Sequence, residues 1–369
     1  MTKTLRHAIA SAVLALTAGS AASAPVPLEP ALQRLPAMNE ARAAHQATLL
    51  PNGEVLLSGG CGGRCEQTLA SSERYDPKRR QFRRAAALTT ARSSHSAIAL
   101  ADGRVLIAGG WAGQAVTATA ELYDPVKDRF EPLPPMQVAR AGATAALLPD
   151  GRVLFAGGQD NQLEPVDAVE IFDPVQRQFV RAAALNDARM NHVAVTLPDG
   201  QVLLIGGRQS RRGPVLASAE WFEPKTGRWQ RAGNLQTARH KHAAVRLADG
   251  RVLVLGGADG SDDRGRYASS ELFDPVSRQF SPGPALHWPR FKIMQALVAL
   301  ADGGALIVGG ASRIERFVPT PAQFESLAGS LDYAPELATA TMLKTGEVLL
   351  AGGYDERIQS QAGAWLVRP

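Results

Sequence analysis

Short apolar runs bounded by turn residues recur along this chain at a nearly fixed interval. In the second block, Arg92 to Leu100 mixes polar and apolar positions as a half-buried strand does; it is labelled A. Asp102-Gly103 then makes a two-residue hairpin signal, because glycine supplies the positive φ such turns need. Val105 to Ala108 is continuously apolar, strand B, and Gly109-Gly110 ends it. After a variable stretch, Ala120 to Tyr123 forms strand C, stopped by Asp124-Pro125, and Phe130 opens strand D. Four antiparallel strands in succession predict one twisted blade.

The same wording returns seven times. Its turns are Asn52-Gly53, Asp102-Gly103, Asp150-Gly151, Asp199-Gly200, Asp249-Gly250, Asp302-Gly303 and Thr345-Gly346. From each turn glycine to the following Gly-Gly doublet the step is six residues. A motif Glu-x-aromatic-x-Pro recurs six times, from Glu73/Tyr75/Pro77 to Glu315/Phe317/Pro319, and an aromatic stands five residues after each proline. These aromatics read as blade core. Ten residues beyond that aromatic comes Arg92, Arg140, Arg189, Arg239 or Arg290, with Ala334 in the last block, and Arg42 stands ten after Leu32. A unit of ~50 residues cannot bury a core alone and must stack on its neighbours. The chain stops at Pro369, where strand C ends in the other blocks, so a segment around Ala31 to Leu35 is expected to supply the missing strand D. That would close a ring and remove its exposed edges. The expected fold is all-β: a seven-bladed β-propeller over residues 25–369.

The doublets, the Tyr-Asp-Pro triplet and the downstream aromatic resemble kelch repeats. The Arg-x-x-His and Leu-Pro-Asp-Gly-Arg-Val-Leu segments are similar to the kelch propeller of the galactose oxidase family, in a bacterial form without the copper site. The resemblance covers the mature chain and implies a fold rather than a function, since one fold carries many activities. It also implies that the D–A and B–C connections share one face around a central channel. That oxidase chemistry needs copper held by two tyrosines and two histidines, and the five tyrosines here offer no such set: Tyr75 and Tyr123 belong to strand C. No cofactor and no metal is expected.

Composition adds location. Lys3, Arg6 and His7 precede an apolar run from Ala8 to Ala18 and a small-residue stretch to Ala24. This is the pattern of a secretory signal peptide, residues 1–24, with Ala22 as a competing cleavage site. No later run approaches the ~18 apolar residues of a spanning helix. The expected product is exported, periplasmic or secreted, without a membrane span, and monomeric. Losing Lys3 and Arg6 leaves 38 of the 40 basic residues against 35 acidic ones, a net of +3. The charges are interspersed, which gives no nucleic-acid signature.

Candidate chemistry gathers on the channel face. Arg42, Arg92, Arg140, Arg189, Arg239 and Arg290 would ring it, and guanidinium forks suit carboxylates. The same arginines occur only in blocks that carry the strand C glutamate. Strands A and C lie ~10 Å apart across strand B, whose Gly-Gly end leaves room for a structural Arg–Glu pair. His45, His95, His192 and His242 each follow an arginine by three residues and read as satisfied core histidines, with Ala143 and Gln295 in other blocks. Cys61 and Cys65, the only cysteines, suit a small loop disulfide. Asp259-Gly-Ser-Asp262-Asp263 lacks the spacing of a strong calcium loop.

The sixth block departs most from the pattern. It has two extra residues between Arg290 and Asp302, a short B–C loop, and Trp288, Phe291, Lys292 and Met294 where small residues stand elsewhere. With Tyr333 and Glu336 from the seventh block, Trp288 and Lys292 are expected to line a notch in the rim. The functional expectation is a non-catalytic binding module for a glycan or protein ligand. The alternative is a periplasmic sugar-modifying enzyme similar to the kelch sialic acid epimerase, for which Glu336 would be the acid/base candidate.

Overall fold

A computed structural model describes residues 31–369 of the chain. The expected leader, residues 1–24, lies outside the described residues. Seven four-stranded antiparallel sheets are arranged as blades. Blade 1 consists of Gln46–Leu49, Val55–Ser58, Ser72–Asp76 and Gln81–Ala85 as strands A to D. Blade 2 follows with Ser96–Ala99, Val105–Ala108, Ala120–Asp124 and Arg129–Leu133. The seven A strands adjoin one another in a closed circuit, the last, Thr339–Met342, touching the first. In blade 7, strand C (Ala364–Val367) pairs on one side with Val348–Ala351 and on the other with Leu32–Arg34, which comes from the opposite end of the chain.

B strands are buried along their whole length, and their side chains fill the space between adjacent blades. Val55, Leu57 and Tyr75 of blade 1, for example, pack with Leu349 and Leu366 of blade 7. The strand C aromatic lies opposite the strand D aromatic, as in Tyr123 with Phe130 at 4.8 Å and Phe273 with Phe280 at 4.8 Å between ring centroids. Such tilted pairs add to simple area burial. D strands carry exposed charged residues, Arg83 and Arg84 in blade 1 and Arg228 and Arg231 in blade 4, which discourages edge-to-edge pairing.

Removing the chain through Leu35 is expected to leave strand C of blade 7 as an unpaired edge and to uncover the cluster around Leu35, Leu349 and Leu366. Light scattering should then detect association at concentrations where the longer chain stays monodisperse. Unchanged scattering and melting would show that the Leu32–Arg34 strand is dispensable for closure.

A lysine cluster at the channel mouth

The second glycine of each doublet is where the D–A connection crosses strand B. At Gly60, φ is +104°, and a Cβ there would sit 2.8 Å from the Ala43 carbonyl oxygen and 2.9 Å from His45 Cβ. Only glycine allows that approach. The crossing brings the start of each A strand over the end of the neighbouring sheet, and this local geometry buries the six arginines and the four histidines that follow them by three residues.

All six arginines are at most 1% exposed. Arg92 Nη1 donates to the Gly109 and Thr119 carbonyls at 2.7 and 3.1 Å, and Nη2 donates to Thr119 Oγ1 at 3.0 Å and Glu121 Oε1 at 2.7 Å. Glu121 also accepts from the Thr89 and Thr90 amides, so the pair ties the D–A connection to strand C. Equivalent pairs are Arg42–Glu73, Arg140–Glu170, Arg189–Glu220, Arg239–Glu271 and Arg290–Glu315, at 2.7–3.1 Å. Burial lowers the guanidinium pKa of Arg92, Arg140, Arg189, Arg239 and Arg290 from its ordinary value, while each blade's glutamate opposes the shift. The reading of Arg42, Arg92, Arg140, Arg189, Arg239 and Arg290 as a ligand-facing ring is therefore corrected. Their guanidinium groups are held inside the blades, although Arg42 Nε has no partner among the described residues.

Blade 7 solves the same problem with aromatics. Trp365 takes the glutamate position opposite Leu350, and Tyr333 packs on it at 5.5 Å. The Tyr333 hydroxyl donates to the Gly352 carbonyl at 3.0 Å, the bond that Arg Nη1 makes to the first doublet glycine in blades 1 and 2. Tyr333 thus has an architectural role in blade 7. Pro335, whose carbonyl accepts from Gly310 N, occupies the arginine position, one residue later than the spacing to Ala334 suggested.

The histidines pack against the doublets. His45 Nε2 meets Thr339 Oγ1 at 2.9 Å, His95 Nε2 meets Ser58 Oγ at 3.1 Å, and His192 Nε2 meets Thr144 Oγ1 at 3.0 Å. The expectation of satisfied core histidines is met only in part: Nδ1 of His45, His95 and His192 is buried without a partner among the described residues, and at His242 both ring nitrogens are. Blade 4 places Val193 where Ser or Thr would be needed. In blade 6 the position belongs to Ile293, against Gly256, and not to Gln295. Burial drives these imidazoles neutral: His45 and His192 fall to about 3, and His95 and His242 lie well below the usual value.

Two residues after each arginine the backbone turns left-handed. Those residues are Ala44, Ser94, Gly142, Asn191, Lys241, Lys292 and, in blade 7, Leu337. Their amides and carbonyls join neighbouring blades: Ser94 N to Ala44 O, Gly142 N to Ser94 O, Lys241 N to Asn191 O, Leu337 N to Lys292 O and Ala44 N to Leu337 O, at 2.8–3.0 Å. The result is a hydrogen-bonded collar around a channel cavity of about 560 Å³, lined mainly by Ala, Ser, Thr, Asn and Gln side chains.

The collar is uneven. Blades 5 and 6 contribute Lys241 and Lys292, each ammonium 4.9 Å from the centroid of the fully buried Phe291 ring. Such placement over an aromatic face is attractive for a cation. Lys241 Nζ donates to Asp262 Oδ1 at 3.0 Å, and Lys292 Nζ donates to Glu336 Oε2 at 3.0 Å. Glu336 Oε1 pairs with Arg266 at 2.7 Å, and Tyr354 lies under Lys292 at 4.9 Å. His240 is buried between Asp259 O and Asp262 Oδ1, each 3.1 Å from Nε2. Those two acceptors assign the Nε2–H tautomer. Burial, with Lys241 beside it, lowers His240 to about 4, so the ring is neutral near pH 7. Among the described residues no three His, Cys, Asp or Glu side chains converge as metal ligands.

The expected notch is assembled only in part. Lys292 meets Glu336, whereas the Trp288 ring lies 5.5 Å from His287, in the connection ahead of Arg290. The two extra residues of blade 6 form a turn at 294–296 and send Met294 and Gln295 to the channel wall, filling space instead of opening it. Reading the repeat at single positions missed Lys241, whereas Asp262, Arg266 and Tyr354 stand in the B–C connections that the repeat already places on the channel face. A column taken two residues after every arginine shows two adjacent lysines among short side chains.

The Cys61–Cys65 disulfide is present in the first B–C hairpin, with Cys61 packed on Ala43 and Tyr354. Residues 92–137 and 189–236 match the Kelch motif family. Both matched segments start at a buried arginine and run to the glutamine whose amide the next blade's glutamate accepts. With Kelch motifs at two of its seven blades, the chain folds as a β-propeller of kelch repeats. Among curated proteins, none matches the chain. No described helix is long and apolar enough to cross a membrane.

Proposed function

We propose that the protein is an exported, non-catalytic interaction module that holds a partner protein on the face formed by its D–A and B–C connections. Kelch propellers serve generally as protein-interaction modules, and the observation that carries the choice of face is the channel cavity, lined by small and polar side chains, with cations on one side of its mouth. No phenylalanine, tyrosine or tryptophan lines the cavity, so the wall lacks the large flat apolar face on which a sugar ring stacks; this favours a protein over a glycan. The state of Glu336 supports binding rather than epimerisation. Each of its oxygens is engaged by a cation, Arg266 or Lys292, so both are occupied in ion pairs within the chain. Export rests on the charged, apolar and small-residue order of positions 1–24.

A photo-crosslinking residue at Gln114, exposed in the blade 2 B–C connection, should yield a covalent adduct with a discrete partner in the native host. The same residue at Val126, 92% exposed in a C–D turn, should yield none. Adducts from Val126 alone would overturn the assignment of the face. Fractionation of the tagged full chain should recover a product outside the cytoplasm, shortened by roughly two dozen residues. Recovery of the uncleaved chain in the cytoplasm would overturn export.

A further inference from the structure

Lys241 and Lys292 stand at equivalent positions of adjacent blades, both backbones in the left-handed region with φ of 53° and 55°. Blades 1 to 4 place Ala44, Ser94, Gly142 and Asn191 there, so more than half of the collar is low while two ammonium groups rise beside it. Phe291, completely buried between them, fixes where both can lie. Two cations held side by side over a cavity repel each other unless anions lie close, and the chain supplies two. The two are not equivalent. Glu336 is buried and shared by Lys292 and Arg266, whereas Asp262 is 42% exposed on a short 3₁₀ turn, Asp262–Gly265. Burial lowers the pKa of Lys241, with Asp262 opposing the shift; at Lys292 the neighbouring Tyr354 and Glu336 outweigh burial and raise it. Lys241 is therefore the less fully compensated cation of the two.

We infer that Lys241 and Lys292 form a carboxylate-binding site at the channel mouth, taking an acidic side chain from a protein loop that enters the cavity and displaces Asp262 from Lys241. This rests on the reading of this face as the ligand face and names the chemistry it selects. A carboxylate bridging the lysines makes charge-assisted hydrogen bonds to both. Asp262, being partly exposed, rotates into solvent and gives up its contact to His240 Nε2, which keeps the Asp259 carbonyl as acceptor, whereas Glu336 stays with Arg266. Ser94, Asn191 and Gln295 supply amide and hydroxyl partners around the cavity for the loop's backbone.

The test uses hexaglutamate, hexaglutamine and oligogalacturonate with the mature chain, read by calorimetry at low salt. Hexaglutamate should bind and hexaglutamine should not. The Lys241→Asn/Lys292→Asn variant uses the residue that blade 4 already carries in the same left-handed slot, and its affinity should fall by roughly tenfold or more. Asp262→Asn should bind about threefold tighter, because the internal competitor is gone. Melting curves within a few degrees of the parent keep these readings separate from folding. The inference is overturned by equal binding of the lysine variant, by weaker binding of Asp262→Asn, by a preference for oligogalacturonate, or by no binding of hexaglutamate. A crosslink at Gln114 together with any of those results would remove the carboxylate assignment alone. A crosslink only at Val126 would remove the face beneath it.

Discussion

Replacing Arg92 by Ala is expected to destabilise the protein by about 3–5 kcal/mol, measured as the loss of unfolding free energy in denaturant titration. The change strands Glu121 inside the blade at 1% exposure, with its Thr89 and Thr90 amide donors but without its counter-charge. It also removes a donor from the Gly109 and Thr119 carbonyls. The control is Arg104→Ala, which breaks an ion pair with Asp102 at the hairpin turn, where both partners are partly exposed; that loss should stay within about 0.5 kcal/mol. Replacing both Arg92 and Glu121 with apolar residues of similar volume should recover much of the deficit, as buried pairs exchanged together often do. Blade 7 already contains such an exchange, in the Tyr333–Trp365 pair. Equal costs for Arg92→Ala and Arg104→Ala would refute the architectural role of the ring.

Acidification should weaken the fold well before the carboxylates titrate. His45, His95, His192 and His242 are buried as neutral imidazoles, with folded pKa values near 3 or well below 6.5. In the unfolded chain each regains a pKa of about 6.5. Above that pH both states are neutral and the stability is fully present. As pH falls below it, the unfolded state takes up protons that the folded state refuses. Each histidine then removes about 1.4 kcal/mol per pH unit. Stability should therefore fall between pH 6.5 and 4.5 with a slope near five protons, because buried His240, lowered to about 4, adds a fifth group to these four. His242→Ile, which installs the residue that blade 6 carries at that position, should reduce the slope by about one proton. It should also remove two unpartnered buried nitrogens. A melting temperature constant across this window would show that the imidazoles reach solvent or partners.

Much of this protein was written along its chain. The Asx-Gly turns, the apolar B strands, the Gly-Gly doublets and the aromatic pairs are local devices repeated in phase, and each specifies its strand or turn from residues a few positions apart. Periodicity therefore determined the propeller, the blade count and the register of A with B. The co-occurrence of Arg and Glu even carried the partner of each arginine, because the two positions appear and vanish together. What the linear pattern did not carry was substitution between different chemistries. That Tyr333 and Trp365 do the work of an Arg–Glu pair becomes visible only when Tyr333 Oη meets Gly352 O, since no spacing rule relates a tyrosine to an arginine two positions later in the repeat. The site at the channel mouth was decided by tertiary structure for the same reason. Lys241 and Lys292 are 51 residues apart and Asp262 and Glu336 lie in loops of different blades; closure of the ring, through the collar of left-handed residues, brings them to one buried ring at Phe291. Local sequence sets strands and turns because their hydrogen bonds are local. Which charges face a shared cavity depends on the curvature of seven stacked blades, and that sum exists only in the folded chain.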